Sequence, residues 1–349
     1  MTGQLSIGVD IGGTKVAAGV VDETGAILAR ARRATPSHSP AAVEDTIVEV
    51  VNDLRRHHRG VASVGIGAAG WVDTDQSVVR FSPHLAWRSE PLKAALQQRI
   101  DLPLLVDNDA NAAAWAEYRF GAGHAAKVMV GITLGTGIGG ALVINGQLFR
   151  GRYGMAGEWG HMVTVPGGHR CPCGNRGCWE QYASGNALVR DARELALAES
   201  PQAQRLLDWC GRPAHEITGP DVTAAALSGD PTSIELIGDV GRWLGEGMAN
   251  LAAALDPDLF VIGGGLSEAG HLLIGPAQVS FDRTLTGRGY RPPARLVIGH
   301  YLNDAGLIGA ADLARHSLDE PPGRRTGFWP RRRGPQRLTR KRLAARRQA

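Results

Sequence analysis

No uninterrupted apolar run in this 349-residue chain approaches the length of about 20 residues that a membrane-spanning helix needs. A basic leader is absent too, and Asp10 falls inside the first predicted strand, so neither a membrane span nor a targeting signal is expected. Cysteine is scarce: there are four, three of them within the eight positions from Cys171 to Cys178. The fourth, Cys210, lies far downstream without a nearby partner and reads as a free thiol. Clustered thiolates fit a reducing compartment, so the expected location is cytoplasmic. Acidic residues are missing entirely from residues 321–349, which hold 11 Lys or Arg behind a Pro321-Pro322-Gly323 break. The rest of the chain has 27 basic and 34 acidic residues, a net −7, so the overall +4 belongs to this tail. With so little apolar content the tail is expected to be disordered and solvated, or else to make weak electrostatic contact with a polyanion such as nucleic acid or polyphosphate.

The length and a hydrophobic content of 43% accommodate two domains with substantial cores. Residues 7–28 and 128–148 share one layout of strand, Gly/Thr-rich turn, strand, polar turn and strand. Asp22-Glu23-Thr24-Gly25 closes the first hairpin and Asn145-Gly146 the second. Helical periodicity is expected over 41–58, 89–99, 110–120, 186–198, 232–255 and 305–315, alternating with buried strands at 61–66, 102–106, 259–262 and 295–298. The fold class is therefore α/β. Two such cores, each opening with a glycine hairpin, resemble the actin-like ATPase (ribonuclease H-like) fold, in which nucleotide lies in a cleft between two α/β domains. The expected division is 1–122 and 123–304.

His161, Cys171, Cys173 and Cys178 are the ligand set that closes a tetrahedral zinc shell and leaves no position for a catalytic water. The site is expected to be a structural knuckle. Reduced core thiols are the other reading, but three cysteines among glycines and prolines pack poorly, and His169 is the reserve ligand. A metal-bound imidazole keeps a second ring nitrogen as a donor. With Glu158 and Glu180 as acceptors, the segment can meet a ligand rich in hydroxyl groups, such as a sugar.

Gly157-Glu158-Trp159-Gly160-His161 followed by Cys171-Pro172-Cys173-Gly174-Asn175-Arg176-Gly177-Cys178-Trp179-Glu180 resembles the signature of the ROK family, bacterial sugar kinases and sugar-responsive repressors. The resemblance extends from Ile7 to about Ala314. It takes in Asp10-Ile11-Gly12-Gly13-Thr14-Lys15, Asp107-Asn108-Asp109-Ala110-Asn111-Ala112, Leu134-Gly135-Thr136-Gly137-Ile138-Gly139-Gly140 and Val261-Ile262-Gly263-Gly264-Gly265-Leu266. It implies an ATP-dependent hexose kinase, closest to a glucokinase, with Mg²⁺, a homodimer or higher homo-oligomer, and a helix at 305–316 that packs back on the first domain. An N-acetylhexosamine or mannose kinase is the nearest alternative. A sugar-sensing repressor would carry a helix-turn-helix domain before the body, for which a first strand near Leu5 leaves no room.

The glycines of Gly12-Gly13-Thr14 and Gly135-Thr136-Gly137 let backbone amides approach phosphate, and the threonines add hydroxyl donors. By resemblance the first loop handles the γ-phosphate and the second the rest of the triphosphate. Asp10, an anion, would hold Mg²⁺ through water or orient the loop; Lys15 can face either way. Gly264 and Gly265 permit an adenine to lie flat on backbone. Asp109 is expected either as a helix N-cap or, by resemblance, as the base that accepts the proton of the attacking hydroxyl, with Asn108 as a sugar partner. The helix dipole is expected to keep it an ionised, weak base. Ala69 and His84 depart from the family pattern, where proline and asparagine are common, and carry no assigned role.

Overall fold

Ile7, Val9 and Ile11 alternate with Ser6, Gly8 and Asp10 along the first strand. One row enters a fully buried apolar core, and Gly8 leaves the opposite face bare for close approach by a helix. The computed structural model describes residues 4–319; the basic tail expected at 321–349 lies outside them. The chain opens with β1 (Leu5–Ile11), β2 (Lys15–Val21), β3 (Ile27–Ala34), α1 (Pro40–His57) and β4 (Val61–Ala68). Three short strands follow, β5 (Trp71–Val72), β6 (Val79–Phe81) and β7 (Arg88–Glu90), then α2 (Leu92–Gln97), β8 (Leu104–Asn108) and α3 (Asp109–Phe120). The second half runs β9 (Val128–Leu134), β10 (Ile138–Ile144), β11 (Gln147–Leu148), α4 (Glu180–Ala183), α5 (Gly185–Leu197), α6 (Gln204–Cys210), α7 (Gly219–Leu227) and α8 (Pro231–Leu255). It ends with β12 (Leu259–Gly263), α9 (His271–Thr284), β13 (Arg295–Ile298) and α10 (Ala305–Asp319).

The duplication read in the sequence is present as two five-stranded sheets of matching topology, β3-β2-β1-β4-β8 and β11-β10-β9-β12-β13. In each, three strands are parallel and the hairpin partner of the first is antiparallel. Both glycine loops leave the end of the first strand of their sheet, β1 and β9, and so occupy equivalent places. Asn145 and Gly146, at φ 49° and 80°, form the tight turn between β10 and β11. Among the described residues no helix is long and apolar enough to cross a membrane.

Helix α10 returns to the first sheet, where glycines set the spacing. A Cβ on Gly8 would fall 1.9 Å from the Leu307 carbonyl oxygen, and one on Gly65 would fall 1.8 Å from that of Ala310. Both obstacles are backbone and cannot swing aside. Gly65→Ala is expected to cost about 1–3 kcal/mol through forced separation of helix and sheet. The check is a lowered denaturant midpoint with unchanged m-value; a midpoint equal to that of the parent would mean the contact relaxes freely.

One expectation needs correction, and two features were missed. The helix read at 89–99 is shorter, because Pro91 cannot donate to a preceding turn and leaves residues 88–90 free to pair as β7. The three-stranded sheet was not legible, since strands of two or three residues carry no period. Helix α9 was hidden by Pro276 in its interior; Gly238 and Gly241 on α8 make room for that ring, which a Cβ on either glycine would meet at 3.8 and 3.1 Å respectively.

Candidate active site

Asp10 lies in β1 beside Gly67 of β4, which pairs in turn with Asp107 of β8. Gly67 faces the start of α3, where a Cβ would make an ordinary contact at 3.6 Å with Asp109 Cα. The cap of α3 is Asn108, not Asp109: Asn108 Oδ1 accepts the Asn111 N–H at 3.0 Å. Asn108 Nδ2 donates to Gly70 O at 3.1 Å and to Asp109 Oδ1 at 2.9 Å, so this side chain holds the Asp109 carboxyl in place. Asp109 Oδ1 also accepts the Ala110 N–H at 2.9 Å. Among the described residues no hydrogen bond engages Oδ2, which is left for a ligand.

Asp109 also differs from the expected weak base. It is half-buried, and desolvation pushes its pKa up to about 7, followed by repulsion from Asp10 and, more weakly, Glu158. The N–H of Ala110 opposes the rise and does not cancel it. Desolvation outweighs the helix dipole here. Asp10 is pushed up to about 6 by the same loss of solvent, against the pull of Lys15. Its carboxyl packs on Gly306 in the first turn of α10, where a Cβ would come within 3.0 Å of Cγ.

His161 and the three cysteines converge as the sequence indicated, with their ligand atoms all within 4.8 Å of one another. Cys173 and Cys178 sulfurs are 3.6 Å apart, and Cys171 Sγ is 3.7 Å from His161 Nδ1. Two Zn–S bonds of about 2.3 Å at a tetrahedral angle separate sulfurs by about 3.8 Å, so the donor set and spacing fit such an ion. His169 is not in the group; its ring packs on Tyr182 at 5.3 Å. The knuckle is anchored by Trp179, fully buried, whose Nε1 donates to Trp243 O at 2.7 Å in a space opened by Gly247.

With His161 Nδ1 toward the sulfurs, Nε2 points away from them and lies 4.0 Å from Glu158 Oε2. Burial raises the Glu158 pKa, opposed by His161 and by the nearby Trp71, with Glu180 adding to the rise. Glu180 Oε2 accepts the Ile138 N–H at 3.0 Å, directly after the second glycine loop. A Cβ on Gly137 would fall 2.0 Å from that oxygen and would push the Glu180 carboxylate aside. Glu158, His161, Glu180 and Asp109 thus belong to one constellation.

The glycine loops are tightly closed. Gly12 donates to Lys15 O at 3.0 Å and Gly135 to Gly137 O at 3.0 Å, while Gly185 at the start of α5 donates to Gly135 O at 2.8 Å. A cavity of about 510 Å³ opens beside the second loop, lined among others by Thr136, Asn186, Thr223, Gly265, Glu268 and Asn303. Gly265 faces it. Gly264, at φ 84°, instead packs on the backbone of Leu134.

Several residues of this region were not legible in the sequence. Asp107 is 1% exposed and accepts from Arg150 Nε and Nη2 at 2.9 and 2.6 Å, and from Gln76 Nε2 at 2.9 Å. Trp71 reaches Glu158 from the small sheet. Asn186, Glu268 and Asn303 line the cavity from three separate segments. The spacing that locates the knuckle has no counterpart for contacts that join residues 43 positions apart.

The family model described as "ROK family" matches residues 6–317. A glucokinase of Streptomyces coelicolor is 48% identical over 311 residues, covering 89% of this chain and 98% of the relative. An N-acetylmannosamine kinase of Escherichia coli is 35% identical over 320 residues, 89% of this chain and 98% of that protein. Among solved structures, a ROK family glucokinase from Streptomyces griseus in complex with glucose and AMPPNP superposes with a TM-score of 0.84 at 48% identity, covering 89% of this chain and 99% of that one.

Proposed function

The chain belongs to the ROK family, and from that premise we propose that it transfers the γ-phosphoryl group of ATP to glucose, giving glucose 6-phosphate and ADP. The observation that carries this reading is Asp109. Its free carboxylate oxygen and raised pKa make it a base, and it lies in one electrostatic group with Asp10 beside the first glycine loop and Glu158 beside the knuckle. Glu158, His161 and Glu180 bind sugar hydroxyls; Asn108 fixes Asp109 and offers its remaining acceptor capacity to the sugar. Gly12, Gly13 and Thr14 take the γ-phosphate, Gly135, Thr136 and Gly137 the rest of the triphosphate, and the cavity with Gly265 the nucleoside, while Lys15 adds positive charge near Asp10.

The sugar hydroxyl attacks phosphorus as the bond to ADP breaks, and its proton passes to Asp109. Phosphoryl transfer through a loose transition state depends mainly on positioning and charge stabilisation, so late acceptance of the proton suffices. Asp10 would hold, through water, the Mg²⁺ that accompanies the nucleotide, which would supply neutralising charge for the phosphates. His161, Cys171, Cys173 and Cys178 would hold a zinc ion, which would orient the His161 ring.

The test is ADP release across a panel of hexoses. Turnover of glucose above N-acetylmannosamine and mannose supports the reading, and turnover of N-acetylmannosamine alone overturns the assignment to glucose. Because Asp109 must be ionised, kcat/KM is expected to fall about tenfold per pH unit below about 7 and to level off above it. A profile flat from pH 8 down to about 5 would show that no base with this pKa takes part.

A further inference from the structure

Resting on the reading above, we infer that Arg150 is a positioning residue for phosphoryl transfer, setting the distance between the base and the sugar-binding carboxylate. Arg150 follows β11 in the second half of the chain and opens the segment that leads to Glu158. Asp107, its partner, belongs to β8 in the first half, two residues before Asp109. Nε and Nη2 of Arg150 both donate to Asp107 Oδ2, at 2.9 and 2.6 Å, with side-chain exposures of 22% and 2%. Asp107 Oδ1 meanwhile accepts the Asn108 N–H at 2.9 Å and Asn111 Nδ2 at 3.0 Å. Asn108 is the residue that holds Asp109. A continuous chain of hydrogen bonds therefore runs from Arg150 through Asp107 and Asn108 to the Asp109 carboxyl.

The other end is equally short. Residues 150–157 close on themselves through the Ala156 N–H and Arg150 O at 3.2 Å, with glycines 151, 154 and 157 all in the left-handed region. A Cβ on Gly154 would fall 2.1 Å from Val72 O, so the loop lies directly against β5 of the first half. From β5, Trp71 comes close enough to Glu158 to hold its pKa down. Arg150 thus fastens the base of a loop whose far end carries a sugar ligand. An error of about 1 Å in such an arrangement can cost about 10²-fold in rate. The remaining three donors to Asp107, namely Gln76, Asn111 and the Asn108 N–H, keep that carboxylate partnered if Arg150 is removed.

The test compares Arg150→Met and Arg150→Lys with the parent, on whichever hexose the parent phosphorylates in the panel, with melting followed in parallel. Arg150→Met is expected to lose about 10²-fold in kcat/KM for the sugar with the KM for ATP within about twofold. Arg150→Lys, which restores charge through a single point contact, should recover only part of the loss. Asp107→Asn provides a second route to the same loss should Arg150→Met fail to fold. Sugar kcat/KM within about threefold of the parent for Arg150→Met, or for Asp107→Asn in its place, overturns the inference. So does a loss shared equally by sugar and ATP that tracks a lowered melting temperature. A parent active on another hexose but not glucose refutes the glucose assignment alone, and the same variants still decide the role of Arg150.

Discussion

Asp109→Asn is expected to lower kcat by about 10²–10⁴-fold while glucose still binds, because the amide keeps the shape of the carboxyl and cannot accept a proton. The same substitution should stabilise the protein at alkaline pH. The folded-state pKa of about 7 lies above the ordinary 3.8, so ionising this group costs the native state more than the unfolded one. Its favourable contribution is therefore complete below about pH 4 and is lost as the pH rises through about 7. A variant with no charge to bury should melt above the parent at about pH 8, and the gap should narrow as the pH falls toward 4. Turnover near that of the parent would remove Asp109 from the chemistry; a variant melting at or below the parent at pH 8 would remove the desolvation argument.

Loss of the knuckle should be as damaging, by a different route. The purified protein is expected to hold about one zinc per chain, and Cys178→Ala or Cys173→Ala to lose both metal and activity. Nothing in the knuckle performs the transfer itself. Without the ion, the ring of His161 and the flanking Glu158 and Glu180 lose their common support, while Trp179 stays bound to the α8 core. Sugar binding should fail before the fold does, seen as lost glucose binding with most helical signal retained. A metal-free protein at full activity would refute this.

What the sequence made legible was local. Strand, glycine turn and strand repeat within 25 residues or fewer, so the two sheets and their glycine loops follow from short-range pattern, and the knuckle ligands fall within 18 residues, from His161 to Cys178. The Thr218–Asp221 capping box that starts α7 was local too, and would have located a helix that periodicity missed. The basicity of Asp109 was not legible, because the helix dipole is a property of the chain segment whereas desolvation depends on what the rest of the molecule places around it. The partners Arg150, Gln76 and Trp71 were hidden for the same reason: a long-range contact leaves no period and no spacing. Asn108 illustrates the limit within a motif, since either it or Asp109 could cap α3 and the hydrogen bonds alone choose between them.

Helix α10 gives the order of synthesis a consequence. Its Leu307, Ile308 and Ala311 complete a core with Val21 and Ala116, and Arg315 donates to the carbonyls of Gln4 and Val21 at 2.9 and 2.8 Å. The strands of the first half therefore wait for the last of the described helices to emerge. Until then the glycine-lined face of β1 and β4 stands bare, a smooth apolar surface open to chaperones and to neighbouring nascent chains. One face of the second sheet closes on its own helices without α10, but the other waits as well, since Met129, Val143 and Leu259 share a buried cluster with Ala310, Leu313 and Ala314 of α10.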